Sequence, residues 1–275
     1  MRFLGWSVAV LLVALAIWLP TLFHDKAEYS EQVVSETVVA VPTVTEVPNF
    51  NDFADVRDKK QAFFGYLAPI VKAENAKIEA ERNSAVELEN ITKSGTKLTK
   101  QQRQQLEAIA SRYNVEVDYD DLEATFGVLM RRVDVVPEAL VLVQAANESG
   151  WGTSRFALDA LNFFGQWCFS PGCGLVPDSR IDGMNHEVRK FDSVNASVRS
   201  YLRNINTHPA YFDLRRLRAE RRSTGADVRA LDLTPGLLSY SERGEDYIHE
   251  LNSMIRVNRP IIVDVLEPNL NSAPE

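Results

Sequence analysis

The sequence predicts a mainly α protein of the α+β class, in which a short β segment is inserted between helices. Apolar residues recur at three- and four-residue spacing along several stretches between residues 56 and 257. The segment from Cys168 to Phe191 breaks this pattern, because Pro and Gly interrupt its short apolar runs, and it is predicted to form a loop and a small hairpin. With 275 residues, 45% of them hydrophobic, the chain is long enough for one main domain with attachments.

The chain begins with an apolar segment. Residues 3–23 carry no charge, and a helix needs roughly 20 apolar residues to cross the core of a bilayer. Residues 1–24 are therefore predicted to be a signal anchor or a signal peptide. Residues 19–24 lack the small-x-small pair that signal cleavage requires, which favours an uncleaved anchor. Arg2 precedes the apolar segment, and a positive charge in this position stays on the inner side of the membrane. The rest of the chain is therefore expected to be exported.

The net charge of -8 argues against nucleic acid as a partner, because a phosphate backbone requires a basic surface. One local exception is a run of arginines that includes Arg215, Arg218 and Arg222. Asp213 and Glu220 are interspersed with this run, and it is interpreted as the solvated face of a helix.

Before the hairpin segment, the pattern predicts a linker and three helices. Residues 25–53 are rich in Val, Thr, Glu and Pro, which indicates an extended linker. Residues 54–132 are predicted to be an N-terminal helical region. Its helices are expected at residues 56–86, where Pro69 should kink or split the helix, at 99–113, where Thr99 is a suitable cap, and at 122–132.

A further helix is predicted to be central and buried. Pro137 opens it, and the residues from Ala139 to Ala146 are apolar almost all round. Its end is expected near Gly150, since glycine accepts the positive φ that closes a helix. Later helices are predicted at residues 196–206 and 245–257, followed by a C-terminal tail at 260–275.

Glu148 is the first candidate for chemistry, because it is a carboxylate at the end of this apolar helix. Burial, the negative end of the helix dipole and the nearby Trp151 would all raise its pKa. A carboxyl group that is protonated near neutral pH can act as a general acid. The alternative is a structural role, in which Glu148 caps a helix or pairs with a cation such as Arg155.

Cys168 and Cys173 are the two cysteines of the chain. In an oxidising compartment their spacing favours a disulfide. Zinc is the alternative, with His186 as the one candidate for a third ligand, but such a site would lack a ligand. No metal and no cofactor are therefore expected. The sequence also lacks the GxxxxGK, HExxH and GxSxG motifs.

Two motifs resemble a known family. The segment from Gln144 to Ser154, which contains Glu-Ser-Gly-Trp-Gly, and the segment Asn162-Phe163-Phe164-Gly165 are similar to the signature of the glucosaminidase family of peptidoglycan hydrolases, glycoside hydrolase family 73. The similarity extends over about residues 55–259, and residues 133–259 are predicted to be the glucosaminidase domain. The resemblance implies a lysozyme-like helical fold with a small β lobe, a bacterial envelope location, and cleavage of a β-1,4 bond after N-acetylglucosamine in peptidoglycan glycan strands.

The resemblance also implies roles for individual residues. Glu148 matches the catalytic acid of the family. Glu187 is the best match to a second carboxylate in the β lobe, with Asp178 and Asp182 as the alternatives. Tyr240 is expected to hold the acetamido group of the substrate or a water molecule. Trp167 follows the Phe-Gly pair where the family often has a lysine nearby, and it either stacks on a sugar or belongs to the core. The predicted substrate-binding residues are Trp151, Asn162, Phe164, Gly165, Trp167 and Tyr247.

The mechanism stays open at this stage between a retaining nucleophile, an inverting base and assistance from the 2-acetamido group of the substrate. The sequence favours the inverting base or the assistance from the 2-acetamido group over the retaining nucleophile. A lytic transglycosylase, which has the same type of fold and a single acid, is an alternative enzyme. A non-catalytic glycan-binding module of the envelope is an alternative that is not an enzyme.

Overall fold

The computed structural model describes residues 41–178, 180 and 183–267. The predicted membrane segment 1–24, residues 25–40 of the linker and residues 268–275 of the tail lie outside these ranges. The described part is mainly helical, as predicted. Its helices are α1 (Val56–Lys93), α2 (Lys100–Arg112), α3 (Leu122–Arg132), α4 (Glu138–Ser149), α5 (Arg155–Ala160), α6 (Val194–Thr207), α7 (Phe212–Ser223), α8 (Ala230–Leu233) and α9 (Glu245–Leu266).

Helix α1 is 38 residues long and is capped at its start by Asp55, whose carboxylate accepts hydrogen bonds from the backbone amides of Arg57 and Asp58. The prediction that Pro69 could split this helix is wrong, because the helix is continuous through it. Pro69 lies on the exposed side, and so does Gly65, whose carbonyl loses its helical partner to the proline ring. That carbonyl is open to water, and the lost hydrogen bond therefore costs little.

The main hydrophobic core surrounds α4, which contacts both α1 and α9. The first half of α1 contributes Phe63, Phe64 and Leu67 to this core, all of them fully buried. A second cluster joins the other half of α1 to α2 and α3, with Leu106 and Phe126 among its buried residues. Helix α1 therefore belongs to both clusters, and the predicted N-terminal helical region shares its first helix with the core of the predicted glucosaminidase domain.

The β lobe is a three-stranded antiparallel sheet rather than the predicted hairpin. Its strands are β1 (Trp167–Cys168), β2 (Gly174–Leu175) and β3 (Glu187–Arg189), in the order β1-β3-β2. After β1 the chain returns through residues 169–173, so that β2 pairs with the other edge of β3. A hairpin prediction fails here because strands of two residues carry no periodicity that could reveal a third strand.

Residues 41–53 form neither helix nor strand, but they are held against the domain. The amide of Val44 donates to Oδ1 of Asn195 at 2.9 Å, and the carbonyl of Val44 accepts from the amide of Val194 at 2.8 Å. Phe50 is buried in the main core. This part of the predicted linker is thus extended but is not a free tether, because Phe50 and Val44 bind it in place.

Helix α9 extends beyond its predicted end near residue 257 and continues through Pro260 to Leu266. Ile255, Asn258 and Ile262 are buried along one side of it, which keeps the helix packed on the core past the proline. The first residues of the predicted C-terminal tail are therefore helical.

The arginine run is not simply a solvated face, because Arg215 and Arg218 are buried. Arg218 donates to the backbone carbonyls of Arg131, Asp134 and Val135, which lie at the end of helix α3 or just after it. Arg222 makes two hydrogen bonds of 2.6 Å to the buried carboxylate of Asp134. The run is therefore used inside the fold, and α7 is anchored to the residues around Asp134.

Within the described residues, no helix combines the length and the apolar character that crossing a membrane requires. The stretch for which such a helix was predicted, residues 3–23, lies outside the described residues.

Candidate active site

Glu148 lies in the last turn of α4, where the chain turns sharply. Gly150, Trp151 and Gly152 follow with φ values of 58°, 60° and 75°, which end the helix in a left-handed turn. The hydroxyl of Ser149 donates to the carbonyl of Ala145 at 2.6 Å and accepts from the amide of Gly152 at 2.8 Å. The predicted helix end is correct, and the glycines with Ser149 fix the backbone that carries Glu148.

The carboxyl group of Glu148 is half-buried, and only one of its oxygens is strongly held. Oε1 accepts a hydrogen bond from the hydroxyl of Tyr247 at 2.9 Å and lies 3.5 Å from Nδ2 of Asn147. Among the described residues, none donates a hydrogen bond to Oε2, and this oxygen is not sealed from solvent. One oxygen is thus anchored to the protein, and the other makes no hydrogen bond within the described residues.

Burial raises the pKa of Glu148, and the hydrogen bonds from Tyr247 and Asn147 offset part of this rise. Smaller contributions come from Glu250, which raises the pKa, and from Arg243, which lowers it. The alternative pairing with Arg155 is not what the structure has, because Arg155 donates to the carbonyl of Val176 and to the carboxylate of Asp178. The carboxyl group is therefore in an environment that favours its protonated form.

Tyr247 connects Glu148 to a buried network that the sequence did not indicate. Nε2 of Gln144 donates to the hydroxyl of Tyr247 at 3.0 Å, and the hydroxyl of Tyr201 donates to Oε1 of Gln144 at 2.5 Å. Gln144 has an exposed fraction of 0%. The signal for Gln144 in the sequence is a polar residue four positions before Glu148 in an apolar helix. Tyr201 has the spacing of an apolar residue in α6, which does not distinguish it from a core residue.

Tyr240, the predicted catalytic tyrosine, precedes α9 and stacks on Tyr247 with ring centroids 5.5 Å apart. Its hydroxyl donates to the carbonyl of Phe164 at 3.2 Å. Tyr240 therefore lies beside the aromatic partner of Glu148, and its own hydroxyl proton is used to hold the Phe164 backbone. Its contact with the acetamido group or a water molecule stays a prediction.

Asn162 organises a turn and does not reach the surface. Oδ1 accepts from the amides of Phe164 and Gln166, and Nδ2 donates to the carbonyls of Gln166 and Arg189. Asn162 is 1% exposed, so the predicted direct contact with substrate is replaced by support of the turn and of β3. The exposed Gly165 adopts a φ of 66° in this turn.

Phe164 is also buried, at 3% exposure, and its ring stacks on Tyr201 with centroids 4.1 Å apart. Direct contact with substrate is therefore closed to its side chain. Trp151, another predicted substrate contact, packs edge-on against Phe63 and Phe64 of α1, with Nζ of Lys60 5.1 Å from its ring centre. Both residues hold the core under the site.

Trp167 is different, because 55% of it is exposed. Its ring lies nearly parallel to the ring of His186, with centroids 4.2 Å apart. His186 is nearly buried and supports one face of the indole, which fixes the orientation of the ring. Of the predicted substrate-binding aromatic residues, Trp167 alone presents a large exposed surface in the described part of the chain.

Glu187 lies in β3, and its carboxylate is turned under the loop 169–173. Oε1 accepts from the amide of Gly172 at 2.9 Å and Oε2 from the amide of Gly174 at 2.8 Å. These backbone hydrogen bonds lower the pKa of Glu187, so it stays ionised. The structure therefore gives both oxygens a role in holding the loop, and a catalytic role for Glu187 stays a prediction.

Cys168 and Cys173 are joined in a disulfide at the ends of the same loop. Their sulfurs and a carboxylate oxygen of Glu187 lie within 4.8 Å of one another. Both sulfurs are used by the disulfide, and His186 is engaged with Trp167 rather than with this cluster. The arrangement fits a covalently closed loop and does not fit a metal site.

A helical fold with a small β lobe, and a half-buried glutamate at the end of its central helix, is the arrangement that the resemblance to a glycosidase family implied. A family model described as glucosaminidase, mannosyl-glycoprotein endo-beta-N-acetylglucosaminidase, matches residues 123–259. The chain belongs to this glucosaminidase family.

Among curated proteins, the chain is similar to Protein bax of Escherichia coli (strain K12). The two are 32% identical over 218 residues, which cover 79% of this chain and 76% of that protein. A search of solved structures gave no match. The similarity to Protein bax includes residues outside the family match and therefore supports a common origin for most of the chain.

Proposed function

We propose that the chain is an endo-β-N-acetylglucosaminidase that hydrolyses peptidoglycan at the β-1,4 bond between N-acetylglucosamine and N-acetylmuramic acid. Glu148 is the general acid in this proposal. The observation that carries it is the asymmetric environment of Glu148, whose pKa is raised by burial while Oε2 is left open. Family membership supports glycosidase chemistry, and the residues around Glu148 support the choice of acid.

In the proposed reaction, protonated Glu148 transfers its proton from Oε2 to the glycosidic oxygen as the bond from that oxygen to the anomeric carbon breaks. The leaving sugar departs as a neutral alcohol, and Glu148 becomes a carboxylate. The hydroxyl of Tyr247 then donates to a charged oxygen, which is a stronger hydrogen bond than the one it made before. Tyr247 therefore stabilises the state that follows proton transfer.

The positive charge at the anomeric carbon needs a second group. The two backbone hydrogen bonds to Glu187 argue against its use as a nucleophile, because attack would require breaking both. Assistance by the 2-acetamido oxygen of the substrate, or direct inversion by water, needs no second carboxylate that forms a covalent bond. We favour the acetamido route. Trp167 is proposed to stack on a sugar ring of the strand, with Gly165 beside it.

A lytic transglycosylase is a second candidate, because that reaction needs a single carboxyl group. The observation that favours it is that both carboxylate oxygens of Glu187 are held by backbone amides, which leaves Glu148 as the one proposed acid. The transglycosylase differs in its products. Hydrolysis adds water and leaves a reducing N-acetylglucosamine end, whereas transglycosylation leaves an anhydromuramic end.

The location of the chain is proposed on the same basis. A peptidoglycan substrate requires the domain to lie in the bacterial envelope. The apolar residues 3–23 would anchor it in the inner membrane facing the periplasm, or would direct it to the periplasm if they were removed.

The test is digestion of purified sacculi followed by mass analysis of the new glycan ends. Wild type is expected to release fragments with reducing N-acetylglucosamine ends, and Glu148→Gln is expected to lose at least about 100-fold in rate. Glu138→Gln, at the other end of the same helix, is the matched control and should keep the wild-type rate. Binding of Glu148→Gln to sacculi should be unchanged.

Three outcomes would contradict the proposal. Anhydromuramic ends would indicate a transglycosylase. Binding without release by wild type would indicate a glycan-binding module. Normal release by Glu148→Gln would mean that another group is the acid.

A further inference from the structure

Four side chains form a hydrogen-bonded chain that runs from the interior of the fold to the open site. It consists of Tyr201, Gln144, Tyr247 and Glu148, and we call it the glutamine chain. Gln144 and Glu148 are four residues apart on α4 and therefore lie on the same side of the helix. The hydroxyl of Tyr247 bridges them from α9.

The direction of each hydrogen bond in the glutamine chain follows from its atoms. An amide nitrogen only donates, an amide oxygen only accepts, and a phenol has one proton to give. Because Nε2 of Gln144 donates to the oxygen of Tyr247, the proton of Tyr247 is free for Oε1 of Glu148. The hydroxyl of Tyr201 donates to Oε1 of Gln144 and thereby selects this orientation of the amide.

The opposite orientation of the amide would reverse the outcome at Glu148. Oε1 of Gln144 would then face Tyr247 and take its only proton. Ionised Glu148 would lose its donor, and protonated Glu148 would instead donate from Oε1 to the oxygen of Tyr247. The proton of the acid would thus be turned into the protein and away from the open Oε2.

We propose that Gln144, held by Tyr201, is a positioning residue that directs the hydroxyl proton of Tyr247 onto Oε1 of Glu148 and keeps the transferable proton of the acid on Oε2. Neither Gln144 nor Tyr201 reaches the surface, since they are 0% and 1% exposed, so neither contacts a substrate. The inference rests on the proposed function only in naming Glu148 as the acid.

Other groups also surround Glu148, and the two test variants keep all of them. The groups that interact with it electrostatically or by hydrogen bonds, besides the glutamine chain, are Asn147, Tyr211, Tyr240, Arg243 and Glu250. Arg243 and Glu250 form an ion pair of 2.7 Å with each other on the exposed side. Tyr201→Phe keeps the ring that packs edge-on against Tyr240, and neither test variant replaces one of these five residues.

The experiment is a carbon-13 NMR titration of the Glu148 carboxyl group in the full chain, with its signal assigned by its absence in Glu148→Gln. Tyr201→Phe removes the hydroxyl that orients the amide and keeps the ring stacked on Phe164. Gln144→Met keeps the length of the side chain and removes the donor to Tyr247. Both variants weaken the donor to the ionised carboxylate, and each is expected to raise the pKa of Glu148 by about half to one unit.

Tyr211→Phe is the matched control, because it also removes a buried phenol oxygen but not one of the glutamine chain. Burial raises the pKa of Tyr211 to about 12, so this residue is uncharged wherever Glu148 titrates, and its hydroxyl bonds to Asn204. The titration of Glu148 in this variant should differ little from that in wild type. If the pKa of Glu148 in Tyr201→Phe and Gln144→Met moves no further than in Tyr211→Phe, the inference is overturned. Near-ultraviolet circular dichroism checks that each variant is folded, and either variant is sufficient for the test.

Sacculus digestion separates this inference from the proposed function. In an active enzyme, the alkaline limb of the pH profile should move to higher pH in both variants. The maximal rate should fall about tenfold, because the proton of Glu148 is then held on Oε1 and not on Oε2. A wild type that releases no fragments while the NMR shift is present would overturn the proposed function and support the glutamine chain. An active wild type without the shift would overturn the glutamine chain alone.

Discussion

The ionised form of Glu148 destabilises the folded protein. Its pKa is raised in the folded protein relative to the unfolded chain, chiefly by burial. A group of this kind contributes stability below its unfolded pKa, and the contribution is lost as the pH rises through the folded pKa. At neutral pH, the carboxylate therefore costs the fold free energy that a neutral side chain of the same shape would not cost.

We expect Glu148→Gln to raise the free energy of unfolding at pH 7 by about 1 kcal/mol and to have little effect near pH 4, where wild-type Glu148 is neutral as well. Thermal unfolding at the two pH values measures this difference. Glu138→Gln removes a carboxylate from the first turn of the same helix, where negative charge is favourable, and should not raise the free energy of unfolding at pH 7. An equal effect of Glu148→Gln at both pH values would mean that packing, and not charge, is responsible.

The β lobe depends on one buried anion. Each strand has only two or three residues, so the ladder hydrogen bonds alone hold the sheet weakly. The carboxylate of Glu187 accepts hydrogen bonds from the amides of Gly172 and Gly174, and the disulfide closes the same loop. The lobe that carries Trp167 is thus ordered by side-chain contacts that replace a longer sheet.

Glu187→Gln places an amide N–H against a backbone N–H and should release this loop. We expect exchange of the Gly172 and Gly174 amides with deuterium to become at least about tenfold faster. Asp178→Asn, an exposed carboxylate of the same lobe, is the control and should leave exchange unchanged. Unchanged exchange together with lost turnover in Glu187→Gln would instead support a catalytic role for Glu187.

At the scale of the whole molecule, helix α1 joins regions that the sequence analysis had separated. The family match begins at residue 123, yet the core around α4 contains Phe63, Phe64 and Leu67 from α1. Fully burying each such side chain contributes about 2 kcal/mol, against a typical total stability of about 5–15 kcal/mol. The matched segment alone leaves one side of α4 uncovered.

A chain that begins at residue 123 is therefore expected to show no cooperative thermal transition and no near-ultraviolet circular dichroism. A chain that begins at residue 41 keeps α1 and Phe50, and it should unfold cooperatively. A cooperative transition of the shorter chain at the melting temperature of the longer one would show that α1 is dispensable.

What the sequence predicted correctly was local. The Thr99 cap, the bounds of α3 and the end of α4 at Gly150 follow from capping and periodicity, and the structure has them in place. The errors were tertiary. Packing carries α1 past Pro69 and α9 past Pro260, and single apolar residues such as Phe50 fasten an extended segment.

The candidate site follows the same division. A motif located Glu148, and the end of an apolar helix explained its burial. The partners of Glu148 could not be derived, because Tyr247 comes from a helix about 100 residues later in the chain, and Tyr201 has the spacing of an ordinary core residue. Nothing in the local sequence around Glu187 indicates that the loop amides enclose its carboxylate.

The length of α1 has a mechanical consequence. At about 1.5 Å per residue, its 38 residues extend roughly 57 Å without interruption. The N-terminal half of α1 packs beside α4, which carries Glu148, and the C-terminal half packs against α2 and α3. The distance between the α2–α3 cluster and the carboxyl group of Glu148 is therefore set by the number of turns in α1. A partner bound at that cluster would be held at the same fixed distance from the carboxyl group.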